Sequence, residues 1–290
     1  MAAKDDQVVG VVARPERPKG RGQKIGICPV VAAAGKSVKV LTPENVNTPD
    51  FLAQLRELNP DLLVIVAFGQ FLKSPVLNLP RLGCVNVHPS LLPKYRGAAP
   101  VQWAIAGGEK VTGITTMFID ERMDAGDIIL QKQVSIDDRD TGESLQDRLA
   151  EEGARVLVET VMLVREGKAL RRPQKHDEAT FAPMLRKADG KIDWTMSAVE
   201  IHNRVRAFNP WPGSFCEVPA DSGAFLKVLV TGVEEGKGLK PGSVLEWRGV
   251  GPLIQASDKA VRLLMVQPEN RKIMSGQAYT CGHPPVVSVR

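Results

Sequence analysis

No stretch of this chain stays apolar for the ~20 residues that a membrane-spanning helix needs. Residues 1–6, Met-Ala-Ala-Lys-Asp-Asp, also lack the charged-then-apolar pattern of a secretory leader. A soluble, intracellular protein without a membrane partner is the expectation. Cysteine is scarce, and Cys28, Cys84, Cys216 and Cys281 form no Cys-x-x-Cys pair. That spacing argues against a zinc knuckle and a disulfide framework, leaving four reduced, packing cysteines. His88, His176, His202 and His283 lie far apart, with no His-x-x-x-His spacing, so no metal is expected. No Gly-x-Gly-x-x-Gly follows a strand-like run, so nucleotide binding is not asserted.

What is present is enough chain for two modest cores: 290 residues, of which 43% are apolar. The net charge of +5 is mild, but the cations cluster. Arg14, Arg17, Lys19, Arg21 and Lys24 share one stretch with Pro15, Pro18, Gly20 and Gly22. Such composition opposes helix and strand, and predicts a loop whose cations can reach phosphates. A second cluster, Lys168, Arg171, Arg172 and Lys175, reads equally as a solvated face.

Periodicity divides the chain. Residues 7–13 and 37–41 suit strands, with a short helix near 29–35 between them. Thr48 is placed to cap a helix whose first turn holds Pro49, with Phe51, Leu52, Leu55 and Leu58 on one stripe and Asn59-Pro60 as its stop. The apolar run 62–68 predicts a parallel strand covered on both faces. Further on, 85–88 is strand-like, 100–106 is helical up to Gly107-Gly108, and Asp140 or Thr141 opens a long helix in which Glu143 can complete a capping box. Leu145, Leu149, Val156 and Val164 lie on its apolar stripe. This alternation is α/β. We expect a catalytic domain over 1–178, a connection over 179–196, and a second domain over 197–290. Ser197 caps a helix carrying Val199, Ile201 and Val205, and short strands at 226–233, 243–247, 253–256 and 261–266 predict a small β-barrel.

The most informative run is 84–97, Cys-Val-Asn-Val-His-Pro-Ser-Leu-Leu-Pro-Lys-Tyr-Arg-Gly. Asn86 and His88 are two apart in a β-branched run, so on a strand an amide and an imidazole share one face. Pro89 and Pro93 stiffen the following loop, Ser90 offers a hydroxyl, and Leu91 and Leu92 an apolar wall. That loop suits a flat, partly apolar ligand. Downstream, Met123-Asp124-Ala125-Gly126-Asp127 puts a carboxylate in a turn between strand-like segments 113–119 and 128–134. An amide, a base and a carboxylate can then converge.

These residues resemble the signature of the folate-dependent formyltransferases, Asn-x-His-x-Ser-Leu-Leu-Pro followed by Asp-x-Gly. The likeness runs on through Arg96-Gly97-Ala98-Ala99-Pro100, Ile192-Asp193-Trp194 and Phe208-Asn209-Pro210-Trp211-Pro212. Within the family it is greatest to the members acting on methionyl-tRNA. It implies a Rossmann-like formyltransferase domain, an OB-like barrel after it, 10-formyltetrahydrofolate as co-substrate, initiator methionyl-tRNA as partner, and a bacterial cytoplasm or an organelle matrix. It also implies catalytic roles for Asn86, His88 and Asp124. Folate would be held by Ser90, Leu91, Leu92 and Pro93, by Phe68, Gly69, Gln70, Phe71 and Leu72, and by backbone around 123–127. The tRNA would meet Arg14, Arg17, Lys19, Arg21 and Lys24, with Arg21 first. Arg96 would position phosphate or anchor its loop, and Trp211 would form a structural corner.

Formyl transfer asks for a stabilised oxyanion and a proton path from amine to departing nitrogen. Asn86 and His88 can serve the first, and Asp124 can orient His88 or take a proton. Relatives sharing the central motif act on a sugar-nucleotide amine or on water, and a tRNA- or folate-binding module without turnover is a third reading. Its motive is the start of the chain, where the family's strand-helix unit before residues 7–13 is expected to be missing, which would leave a sheet split at its centre.

Overall fold

The computed structural model describes residues 6–16, 18–19, 24–25, 28–35 and 38–290, with 18–19 and 24–25 as backbone only. Arg17 and Arg21 lie outside the described residues, and the side chains of Lys19 and Lys24 do as well. Contacts gather into two compact units. One comprises Met1–Arg96, Gly113–Gln133 and Ala150–Thr180, the other Gly97–Thr112, Val134–Leu149 and Phe181–Arg290.

In the first unit, β1 (Val11–Val12) pairs in parallel with β2 (Val40–Leu41). A second short pair, Pro18–Lys19 with Lys24–Ile25, corrects the expectation that this stretch holds no strand. A proline opening a strand costs the ladder little, because it occupies the end of the hydrogen-bonded run. The main sheet has four strands in the order β3 (Leu63–Val66), β4 (Cys84–His88), β5 (Val111–Phe118) and β6 (Ile128–Ser135). β3 and β4 are parallel; β4 and β5 are antiparallel. Among the described residues, the β1–β2 pair and this sheet are separate.

Helix Pro49–Leu58 forms where the capping signals put it. The Thr48 hydroxyl accepts from the Phe51 N–H, and Asn59 ends the helix in the left-handed region at φ 44°. Phe51, Leu52 and Leu55 are buried beside Leu41, Val46, Leu72 and Val76, each burial contributing ~1.5–3 kcal/mol. β3 departs from expectation. It is shorter than 62–68, and Val64 and Val66 are exposed while Leu63 and Ile65 face the core. One face of the strand lies on the core of Phe51, Leu52 and Leu55 and the other is left open, so it alternates instead of being covered twice.

The long helix, Gly142–Arg165, buries Leu145, Leu149, Val156 and Val164. Its box forms with Ser144, not Glu143: Ser144 N–H donates to the Thr141 hydroxyl and Thr141 N–H to the Ser144 hydroxyl. A serine one position further along reaches the cap backbone with a shorter side chain.

In the second unit, Ser197 and Glu200 form a reciprocal capping box on helix Ala198–Ala207. Ile201 and Val205 pack inward, but Val199 is exposed, being off the buried stripe. The sheet runs β7 (Ser214–Glu217), β8 (Phe225–Glu234), β11 (Ala260–Pro268), β10 (Leu253–Gln255), β9 (Val244–Glu246). Residues 287–290 then join its outer edges. Val244 N–H donates to Val287 O and Val289 N–H to Gly242 O, while Glu217 and Arg290 exchange both backbone bonds. The result is a closed barrel around Trp194, Leu226, Val228, Ile254, Leu263, Val266 and Val289.

Candidate active site

Val66 pairs with Val87 in parallel register, so the loops after β3 and β4 leave the sheet at one end. Ligands of open α/β sheets sit outside such carboxyl ends. Asn86 and His88 alternate along β4 and share a face; Asn86 is half-buried and His88 buried. His88 Nε2 lies 2.9 Å from the Tyr95 carbonyl oxygen. A carbonyl only accepts, so Nε2 carries a proton. Nδ1 therefore turns to Asp124, whose Oδ2 is 3.8 Å away. That is charge-pair distance, longer than a hydrogen bond. A proton arriving at Nδ1 would sit beside a carboxylate that stabilises it.

Asp124 holds φ 49°, a left-handed conformation that costs an ordinary L-residue ~1–2 kcal/mol. Its turn is also closed by Gly126, where a Cβ would come within 1.9 Å of the Phe118 carbonyl oxygen. The loop after His88 is fixed from below. The Ser90 hydroxyl donates to Lys94 O at 2.6 Å, and Thr115, wholly buried, donates to Ser90 O at 2.6 Å while accepting from Leu92 N–H at 3.1 Å. Gln131 adds bonds to Leu92 O and to the Thr115 hydroxyl. Leu92 belongs to an apolar cluster with Met117 and Ile128. Leu91 leans on Gly113, where a Cβ would meet it at 2.5 Å.

The segment 68–72 follows β3 at the same end. Gln70 accepts from Val46 N–H and donates to Glu44 O, so its amide clamps a neighbouring loop. Leu72 is buried, Phe68 packs on the same core, and Phe71 is exposed. Arg14 is exposed, with Nη1 3.3 Å from where a Gly69 Cβ would stand. Arg96 does not face solvent: it is buried and gives Nε–H and Nη2–H to Gln174 Oε1, with Nη2 also 3.0 Å from His176 Nδ1. It anchors its loop.

The second basic cluster is engaged locally. Arg171 lies over the Phe118 ring and beside Asp127, Arg172 donates to Ile129 O, and Lys168 and Lys175 pair with Glu166 and Glu178. Trp211, in the other unit, is exposed between two cis X-Pro bonds and makes a corner. A cavity of about 580 Å³ beside Cys84, Arg81 and Asp120 opens at the other end of β4 and contains none of the nominated residues. Burial pushes the Cys84 and Cys216 thiols up to about 12, which keeps both protonated and inert. Among the described residues, no group of three or more His, Cys, Asp or Glu side chains is placed to hold a metal.

Sequence reading missed Gln174, Thr115, Gln131 and the Tyr95 carbonyl. Gln174 lies 50 residues from the Asp124 it touches, and no local spacing announces that pairing.

The family model described as Formyl transferase matches residues 2–161, and that described as Formyl transferase, C-terminal domain, matches 184–284. The chain belongs to the formyl transferase family. Among relatives of this formyl transferase, the methionyl-tRNA formyltransferase of Acetivibrio thermocellus is 46% identical over 280 residues, spanning 96% of this chain and 89% of the relative. That of Caldanaerobacter subterraneus subsp. tengcongensis is 44% identical, spanning 95% and 89%. Solved structures share the fold at lower identity. The N-formyltransferase of Helicobacter canadensis, in complex with folinic acid and dTDP-3-aminofucose, is 19% identical, covers 87% of each chain and has a TM-score of 0.61. HypX from Aquifex aeolicus in complex with tetrahydrofolic acid is 20% identical, covers 86% of this chain and 43% of its own, with a TM-score of 0.59.

Proposed function

We propose that this formyl transferase moves the formyl group of 10-formyltetrahydrofolate onto the amino group of methionyl initiator tRNA. The observation that carries the reading is the 46% identity to a methionyl-tRNA formyltransferase across 96% of the chain. The convergence of His88 and Asp124 beside Asn86 supplies groups suited to the chemistry.

In the reaction the amine forms a bond to the formyl carbon, the carbonyl electron pair moves to oxygen, and collapse breaks the bond from that carbon to folate N10. The amine loses one proton and N10 gains one. The Asn86 amide donates to the developing oxyanion, a contribution on the order of 10²- to 10³-fold for one positioned donor. His88 Nδ1 takes the proton from the attacking amine and returns it to N10, while Asp124 stabilises the ring during its transit. Tyr95 O fixes the tautomer that makes Nδ1 the exchanging nitrogen.

Ser90, Leu91, Leu92 and Pro93 together with Phe68, Gly69, Gln70, Phe71 and Leu72 form the folate bed in this reading, mainly through backbone and apolar surface. Arg14, Arg17, Lys19, Arg21 and Lys24 meet the tRNA, with residues 1–178 carrying catalysis and the barrel of 197–290 after the 179–196 connection. The test is formyl transfer from 10-formyltetrahydrofolate to three acceptors: methionyl initiator tRNA, the same tRNA uncharged, and an amino-sugar nucleotide. Only the first is expected to be formylated. Transfer to the sugar amine at a comparable rate would overturn the acceptor assignment.

A further inference from the structure

We propose that Gln174 is a positioning residue for the transfer, setting the Asp124 carboxylate against His88. The inference rests on the reading that His88 and Asp124 manage the proton. Gln174 is buried, and its amide is saturated on both sides. Oε1 accepts from Arg96 Nε–H at 3.2 Å and Nη2–H at 2.6 Å. Nε2 donates to Asp124 O at 2.9 Å and Gly126 O at 2.8 Å.

Arg96 decides which way the amide faces. A guanidinium has no acceptor, so only Oε1 can meet it, and both amide hydrogens are turned toward the Asp124 turn. They grip the carbonyls of Asp124 and Gly126, the residues on either side of Ala125. Asp124 is also the residue of this turn held at φ 49°. A backbone in that region persists when its surroundings over-determine it, and here the surroundings include the Gln174 amide and the Phe118 carbonyl that excludes a Cβ at Gly126. The carboxylate rides on the gripped backbone, 3.8 Å from His88 Nδ1. Other charged groups around the grip are Arg122, which pairs with Asp120, and His176, which lies between Arg96 and Arg122. Neither donates to the two carbonyls in the way Gln174 does.

The experiment uses the full chain with Gln174→Ala, Gln174→Glu, Asp124→Asn and the Gln174→Ala/Asp124→Asn double variant. kcat and KM for formyl transfer, Kd for tetrahydrofolate and far-UV circular dichroism are read for each. Gln174→Ala is expected to lower kcat about 10- to 100-fold, the range for losing a residue that orients a functional group. Tetrahydrofolate Kd should stay within about twofold, and the double variant should be no slower than Asp124→Asn alone. Gln174→Glu keeps the shape and the bond to Arg96 but offers no hydrogen to the two carbonyls, so it should be as slow as Gln174→Ala. A Glu variant at the wild-type rate would overturn the proposal, and so would a double variant whose losses multiply. If Gln174→Ala does not fold, the isosteric Glu variant decides alone. Wild-type turnover in Asp124→Asn would instead remove the reading on which the proposal rests.

Discussion

Replacing Thr115 with valine isolates the hydrogen bonds that hold the loop after β4. The side chains have nearly the same shape, so the loss is that of the hydroxyl. Thr115 Oγ1 donates to Ser90 O and accepts from Leu92 N–H and from Gln131 Nε2. Gln131 keeps its bond to Leu92 O at 2.8 Å, which leaves two backbone groups stripped of this partner. An unmet buried group costs ~1–3 kcal/mol, so Thr115→Val should destabilise by about 2–6 kcal/mol, against a total of ~5–15 kcal/mol for a typical domain. Thr115→Ser keeps the oxygen and loses one methyl, and should cost less than about 1.5 kcal/mol. Urea unfolding is to be followed by far-UV circular dichroism. Trp103, Trp194, Trp211 and Trp247 all belong to the other unit, so tryptophan fluorescence reports there. A shift under about 0.5 kcal/mol at unchanged m-value, or a serine variant as damaged as the valine one, would refute the assignment.

His88→Ala and Asp124→Asn should each slow single-turnover transfer by about 10²- to 10⁴-fold with the fold retained; near-normal chemistry in both removes the proton path. Arg21→Ala should weaken tRNA use far more than folate binding and lower the magnitude of the log-affinity against log-salt slope by about 0.7 to 0.9, and an unchanged slope with impaired folate binding would reverse that assignment. Burial raises the Asp140 carboxyl, but hydrogen bonds from Arg148, the Asp137 N–H and Ser144, with the Arg148 charge, outweigh it and hold the group below the usual carboxylate range. Its stabilisation is therefore present above the unfolded value of about 4 and lost as pH falls through the lower folded value. Stability of wild type over Asp140→Asn should be full at pH 7 and shrink towards pH 2; a gap constant across that range contradicts the linkage.

Local signals were legible where the chemistry is local. Thr48 and Pro49, and Ser197 with Glu200, announce helix starts because each cap bonds a backbone N–H three residues on. Asn86 and His88 are readable as a same-face pair because strand period alone dictates it. What escaped depends on register and distant pairing. Thr115 stands under the loop because β5 runs antiparallel to β4 with Thr115 opposite His88, and nothing within 23 residues of Leu92 marks that. The exposure of Val64 and Val66 follows from β3 being packed on one face only, the face of Leu63 and Ile65, which an apolar run cannot reveal. The 144-for-143 exchange at the long helix was a contest between two nearby side chains that spacing alone does not settle.

The seam of the barrel has a consequence for synthesis. On their outer sides Glu217 and Gly242 are met by Arg290 and Val289, some 70 positions after Glu217 in the first case. During elongation from the N-terminus, β7 and β9 are therefore made with one flank each still open, and both flanks wait for the same few residues. Until these emerge, the nascent barrel is a sheet with two unpaired edges, the form in which β proteins most readily join the wrong neighbour. A slow codon or a bulky fusion placed at this point would prolong that open interval, and the yield of soluble protein, more than its activity, would register the delay.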